Sequence, residues 1–146
     1  MTSKEVAEQL ERIAQDADFA SRSADLTQAW ESAGAGAEIL EPVLRFMERH
    51  PLIDYGIPGA LVHFLERFNA AGYEERLVES VKRRPIGVTV WMLNRLINGT
   101  KELHVRDRLR SVVKEVIKNS LADDDTRTKA AHFLARPSSN AERLQG

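Results

Sequence analysis

The sequence contains no cysteine, which excludes disulfides, thiol nucleophiles and zinc sites built on cysteine. A chain without cysteine also suits a reducing cytosol, so we expect a cytoplasmic protein. No apolar run approaches the ~20 residues that a membrane-spanning helix needs. The polar, periodic N-terminal segment MTSKEVAEQLERIAQ lacks the basic and then apolar plan of a signal peptide. We therefore expect no contact with a membrane.

Recognisable catalytic patterns are also missing. There is no glycine-rich loop followed by Lys-Ser or Lys-Thr, no zinc-protease pattern, and no motif around the serines that would activate a nucleophile. His63 and Glu66 are three residues apart, but their order is the reverse of the Glu-x-x-His pattern of di-iron bundles and no second copy exists. An acid–base pair such as Asp54 with Glu66 stays open. The sequence predicts a protein that is not an enzyme and holds no metal or cofactor.

The net charge of −1 hides an asymmetry between the two halves of the chain. Residues 1–66 carry five basic and twelve acidic side chains, whereas residues 67–146 carry sixteen basic and ten acidic ones. An acidic first half joined to a basic second half predicts a dipolar surface. The alternative is that solvated helix faces of opposite charge partly neutralise each other.

Every strongly periodic segment predicts a helix. Thr2 and Glu5 form a capping-box pattern before the first helix, and Pro58 suits the start of the fourth. The segment IGVTVWMLNRLI begins with β-branched residues but continues at helical spacing, so we expect a central, buried helix. Leu61 and Trp91 are the expected core residues. The predicted helices cover about 3–17, 25–30, 37–49, 58–69, 73–83, 86–97 and 105–119, and an eighth follows a cap at Asp123 to Asp125 and ends before Pro137.

The predicted helix ends recur along the chain. Helices should stop at Pro51, at Pro85 and near Asn119, and these positions are 34 residues apart. Two helices in each unit of this length indicate a short array of antiparallel helix pairs, like the HEAT and tetratricopeptide families. An irregular helical bundle is the alternative. We expect one all-α domain over residues 1–136 and a flexible C-terminal tail over residues 137–146.

The most distinctive stretch is HPLIDYGIPGALVHFLERF, from His50 to Phe68. Its prolines and glycines predict a connector between two helices. Within and beside it, Asp54, Tyr55 and Glu48 are candidates for binding a partner. A tyrosine is the kind of side chain enriched at binding hot spots, and two carboxylates favour association with a basic partner. The alternative is that Tyr55 packs over the helix junction while Asp54 caps a turn.

A second candidate is a structural polar network. A buried arginine needs a carboxylate partner. The 34-residue offset makes position 100 equivalent to Glu66, so Arg95 should lie about one turn away from that position on the neighbouring helix. We therefore expect Arg95 and Glu66 to pair. Binding of a partner is the alternative role. The expected members are His63, Glu66, Asn94 and Arg95.

A third candidate is a basic ridge on the predicted seventh helix. Its members are Arg106, Arg110, Lys114 and Lys118, each four residues apart. Such a ridge can follow a phosphate backbone, which would make the chain a nucleic-acid-binding array. No aromatic residues interleave the ridge and acidic residues stand beside it, so a solvated outer face is favoured and nucleic acid is an unlikely partner in this interpretation.

The stretches HPLIDYGIPGALVHFLERF and RRPIGVTVWMLNRLIN resemble small all-helical bacterial immunity proteins encoded beside polymorphic or contact-dependent toxins. The resemblance covers about residues 50–98. It implies a small bacterial protein that binds and blocks a cognate toxin without catalysis. The remaining alternatives are a helical-repeat scaffold or regulatory adaptor and the nucleic-acid-binding array.

Overall fold

The computed structural model describes residues 1–136, so the predicted tail at 137–146 lies outside the described residues. This range contains eight α-helices and no β-strand, which confirms the all-α prediction. The helices are α1 (Ser3–Ile13), α2 (Phe19–Ser32), α3 (Leu40–Arg49), α4 (Ala60–Glu66), α5 (Glu74–Arg83), α6 (Gly87–Gly99), α7 (Leu103–Lys118) and α8 (Asp124–Ala135). A 3₁₀ turn at Ala37–Ile39 precedes α3, and a π-helical turn at Asn69–Tyr73 precedes α5.

Several helix ends follow from local chemistry that the sequence displays. The Thr2 hydroxyl accepts a hydrogen bond from the Glu5 amide at 3.1 Å, and the Glu5 carboxylate accepts one from the Thr2 amide at 3.3 Å. This confirms the predicted capping box at α1. Asp123 caps α8 by accepting from the Thr126 amide at 2.8 Å. Hydrogen bonds from Thr126 hold the pKa of Asp123 below its usual value.

The predicted bounds are wrong at α2, which is longer than expected, and at α1 and α4, which are shorter. In α2, the polar residues that weakened the sequence signal lie on the buried face. The Ser23 hydroxyl donates to the Ala20 carbonyl and the Thr27 hydroxyl to the Ala24 carbonyl, each at 3.0 Å. Because the helix itself accepts these bonds, both hydroxyls are buried without an unpaired donor.

The described chain divides into two compact units, Met1–Arg76 and the residues from Leu77 onward. In the first unit, α1 packs on α3 and α2 packs on α4. Its core includes Leu61, as predicted, and Trp30, whose Nε1 donates to Gln9 Oε1 at 2.7 Å. The single domain expected over residues 1–136 stays a prediction, because units of this size occur both as separate domains and as halves of one domain.

In the second unit, α6, α7 and α8 pack on one another. The helix α6 forms despite its β-branched start and buries Val90, Met92 and Leu93. Trp91 is only half-buried, which corrects the expectation that it belongs to the core. The Arg95 guanidinium lies over its ring, 5.2 Å from the centroid, so the aromatic face is covered by a cation.

The helix ends in the structure recur at the spacing predicted from the sequence. The helices α3, α5 and α7 end at Arg49, Arg83 and Lys118, which agrees with the predicted period to within one residue. Helix pairs of this kind occur both in short arrays and in irregular bundles, and both descriptions are compatible with the packing seen here. Among residues 1–136, no helix is long and apolar enough to cross a membrane.

Candidate protein-binding site

The connector between α3 and α4, His50–Gly59, is held together by its own hydrogen bonds. The Tyr55 hydroxyl donates to the His50 carbonyl at 2.7 Å, which ties the middle of the connector to its start. The Gly56 amide donates to Asp54 Oδ1 at 2.9 Å, a turn in which the aspartate bonds the backbone two residues on. The connector therefore has a defined shape rather than a loose path.

Two glycines allow the connector to fold back on itself. Gly56 has φ +88°, a left-handed conformation that side chains with a Cβ rarely adopt. A Cβ on Gly59 would collide with the Tyr55 carbonyl oxygen, and a Cβ on Gly56 would come within 2.6 Å of the Gly59 Cα. The peptide bond between Ile57 and Pro58 is cis. The glycines in this stretch thus serve close backbone approach, as the predicted connector requires.

Tyr55 is buried, with 6% of its surface exposed, which corrects the expectation of an accessible anchor. Its ring meets the Phe19 ring edge-on at 5.7 Å between centroids and the Phe46 ring at 6.5 Å. Burial raises the pKa of its hydroxyl. Tyr55 therefore packs over the helix junction, the alternative that the sequence left open.

Glu48 is also buried, with 5% exposed, so its carboxylate is not displayed to a partner as expected. Position explains this result, because Glu48 lies on the face of α3 that also buries Leu44 and Met47. Asp54 is exposed, and one of its carboxylate oxygens accepts a hydrogen bond from the Gly56 amide. Of the three predicted partner-binding residues, only Asp54 is accessible.

The connector exposes two large aliphatic side chains. Leu52 is 93% exposed and Ile57 is 91% exposed, on either side of Asp54. Ile57 and Pro58 both precede α4, which begins at Ala60, so the prediction that Pro58 opens this helix is wrong. The available sequence signal was the presence of two large aliphatic residues among breakers, where polar residues are usual. Isolated exposed apolar residues are common, but two of them on one rigid turn are a candidate contact surface.

The start of the connector is anchored to α1 by charge. Glu11 Oε1 accepts from Arg49 Nε at 3.0 Å, and Glu11 Oε2 lies 2.9 Å from His50 Nε2. Partial burial alone would raise the pKa of Glu11, but hydrogen bonds from His50 and Arg49 outweigh that effect and lower it. These bonds join α1 to the end of α3, where the connector begins.

A groove of about 360 Å³ lies beside the connector. Alanine residues and Phe19 from the segment after α1 and the first turn of α2 supply apolar surface, and Asp16 and Asp54 supply carboxylates. Asp16 already pairs with Arg22 at 3.3 Å, an exposed ion pair that contributes little to stability. The groove therefore combines apolar surface with two carboxylates.

The residues of the predicted polar network have different environments. His63 is exposed, and its Nδ1 lies 3.8 Å from Glu66 Oε1, so the histidine is not part of a buried network. Asn94 and Arg95 are half-buried. Glu66 and Arg95 belong to different compact units, and their pairing stays a prediction.

The predicted basic ridge is not a continuous surface. Arg106 is buried with 7% exposed, and Arg110 donates from Nη2 to the Leu134 carbonyl at 2.9 Å, at the end of α8. Of the four ridge residues, only Lys114 and Lys118 are exposed. The helix α7 packs on α6 and α8, which cover one of its faces. Residues four apart do not stay on one line along a helix, because a turn has 3.6 residues. Arg106 therefore falls on the covered face, whereas Lys114 and Lys118 do not. This correction removes the main support for a nucleic-acid interface.

Within residues 1–136, no group of three or more His, Asp or Glu side chains is arranged to hold a metal ion. Comparisons of the chain with protein-family models, with curated proteins and with solved structures found no match. The likeness to immunity proteins therefore remains a hypothesis drawn from residues 50–98.

Proposed function

We propose that this chain is a non-catalytic binding protein that engages a protein partner through the connector His50–Gly59. The observation that carries the proposal is the exposure of Leu52 and Ile57, both above 90%, on a turn fixed by Tyr55, Asp54 and two glycines. A turn that is already ordered loses little conformational entropy on binding. Loops displayed by a rigid scaffold are common recognition elements.

These two side chains can supply a substantial part of the free energy of binding. Burying one large aliphatic side chain contributes about 1.5–3 kcal/mol. Two of them on one turn, with contacts from the neighbouring groove, form the apolar centre of a small interface. Asp54 lies between them in the chain and adds an exposed carboxylate.

Charge favours a basic partner. The first 66 residues carry seven more acidic than basic side chains, and Asp16 and Asp54 line the groove beside the connector. Negative charge around an apolar patch raises the association rate with a basic protein and selects against acidic ones. Together with the likeness of residues 50–98 to immunity proteins, this supports a cytoplasmic bacterial protein that neutralises a cognate toxin with a basic surface.

The test replaces the exposed aliphatic side chains and measures protection. A double variant, Leu52→Ser with Ile57→Ser, is co-expressed with the toxin encoded by the neighbouring gene, and its affinity for that toxin is measured by calorimetry. We expect the affinity to fall roughly 100-fold or more, which corresponds to about 3 kcal/mol of lost apolar contact.

The chain offers a matched control in the second unit, where Leu103 and Leu121 are also largely exposed. Leu103→Ser with Leu121→Ser removes two exposed leucines of comparable size and should leave binding unchanged. Equal binding by the connector variant and wild type would show that recognition lies elsewhere. If wild type neither binds nor protects against any neighbouring gene product, the immunity role is wrong and a helical scaffold or adaptor becomes the better description.

A further inference from the structure

The buried face of α7 contains an arginine. Arg106, Leu109, Val113 and Val116 lie on this face, and Arg106 is only 7% exposed. Its Nε is fully enclosed and has no hydrogen-bond partner. Buried arginines normally pair with carboxylates, since an uncompensated buried charge is strongly destabilising. In the part of the chain that the structure describes, the Arg106 side chain forms no ion pair.

The first turn of α7 is a second source of positive potential. No acidic residue lies in this turn, and the Glu102 side chain does not cap the helix. The Glu102 carboxylate instead lies 3.4 Å from His104 Nε2. The backbone N–H groups of the first turn of α7 are therefore not capped by the Glu102 side chain, and they form the positive end of the helix dipole.

Arg106 and this turn are close together by helix geometry. Arg106 is the fourth residue of α7, and side chains in a helix lean toward its N-terminus. By this geometry we expect the Arg106 guanidinium to lie toward the first turn. Leu103 and His104 are exposed, so the turn can be reached from solvent. Arg110, one turn further on, already donates to the Leu134 carbonyl. Arg110 is therefore engaged in packing α7 on α8, whereas Arg106 takes no part in that bond.

We propose that Arg106 and the first turn of α7 form a binding site for a phosphate group. A phosphate has several oxygens that can accept from a guanidinium fork and from helix amides together, and two negative charges to offset both positive sources. This site lies on the second unit and is independent of the proposed partner-binding connector.

The first test measures melting temperature as inorganic phosphate replaces chloride at constant ionic strength. Wild type should melt higher as phosphate rises, by roughly 4 °C at a tenfold excess over the dissociation constant, and the rise should saturate. Arg106→Met keeps the length of the side chain and removes its charge, so its melting temperature should rise by less than about 1 °C.

Phosphate also stabilises proteins generally by exclusion from their surface, and Lys114→Met controls for this effect. Lys114 is an exposed cation on the same helix, so its variant has the same net charge as Arg106→Met and should respond like wild type. If Arg106→Met responds as strongly as the other two, the effect is general and the site does not exist.

The second test uses wild type alone and does not depend on the folding of a variant. Titration with inorganic phosphate should shift the backbone amide resonances of Leu103, His104 and Val105 with one common saturation curve. Phosphoserine should reproduce these shifts, whereas acetate should not. Shifts with acetate but not with phosphate, or no saturating shifts in the first turn, would overturn the proposal.

Discussion

Two connectors at the same point of the 34-residue period have opposite properties. After α3, residues 50–59 fold into a self-bonded turn that exposes Leu52 and Ile57. After α5, only residues 84–86 precede α6, and both Pro85 and Ile86 are buried. A proline follows the preceding helix in both connectors, so the difference arises from the additional residues of the first one. In helical repeats, such insertions map to loops on one face, which is often the binding face.

The largest expected effect contrasts the two isoleucines. Ile86→Ala should reduce the free energy of unfolding by about 2–5 kcal/mol, because a buried aliphatic side chain is removed. Ile57→Ala should change it by less than about 0.5 kcal/mol, because Ile57 contacts mainly solvent. Urea denaturation of both variants measures the difference. Similar losses would mean that the first connector is ordinary packed structure.

A second contrast uses the glycine at the start of the next helix in each case, Gly59 just before α4 and Gly87 as the first residue of α6. Gly59→Ala should destabilise by about 1–3 kcal/mol, because the new Cβ would strike the Tyr55 carbonyl and force the backbone into strain. Gly87→Ala meets only the flexible end of Lys129 at 3.4 Å and should be neutral or mildly stabilising, since alanine favours a helix. Thermal unfolding gives both values, and an unaffected Gly59→Ala would contradict the closed turn described here.

Removing one hydroxyl tests whether the exposed connector is held in shape. Tyr55→Phe keeps the ring packing and deletes the bond to the His50 carbonyl, which should cost about 1 kcal/mol. Amide hydrogen exchange should also become faster in residues 50–59, while residues 84–86 keep their rates. Unchanged exchange in the first connector would show that the hydroxyl does not order it.

The smallest effect depends on pH. Because the pKa of Glu11 is lower in the folded state, its interactions with Arg49 and His50 stabilise the protein above the ordinary value of 4.5 and are lost as the pH falls through the lowered pKa. Glu11→Gln should therefore be less stable than wild type at pH 7, and this difference in the free energy of unfolding should shrink as the pH falls below 4.5. A difference that does not change with pH would show that the carboxylate charge is not responsible.

Helix positions were largely predictable because they depend on local chemistry. The Thr2 capping box, the Asp123 cap of α8, and the prolines after α3 and α5 act on their immediate neighbours in the chain. The β-branched start of α6 was also assigned correctly from the spacing that follows it. The length of α2 was not, since its Ser23 and Thr27 look solvent-exposed until the packing of Phe19 and Trp30 is known.

The sequence by itself determined that the chain is all-α, where its helices break, and that residues 50–59 form a connector. Only the tertiary structure decided which side chains of that connector face inward. Tyr55 is buried because Phe19 and Phe46, which are distant in the chain, meet its ring. The same applies to Arg106, whose place in a basic spacing gave no sign that packing on other helices would cover it. Burial depends on neighbours brought together by folding, whereas caps and breakers act within one turn.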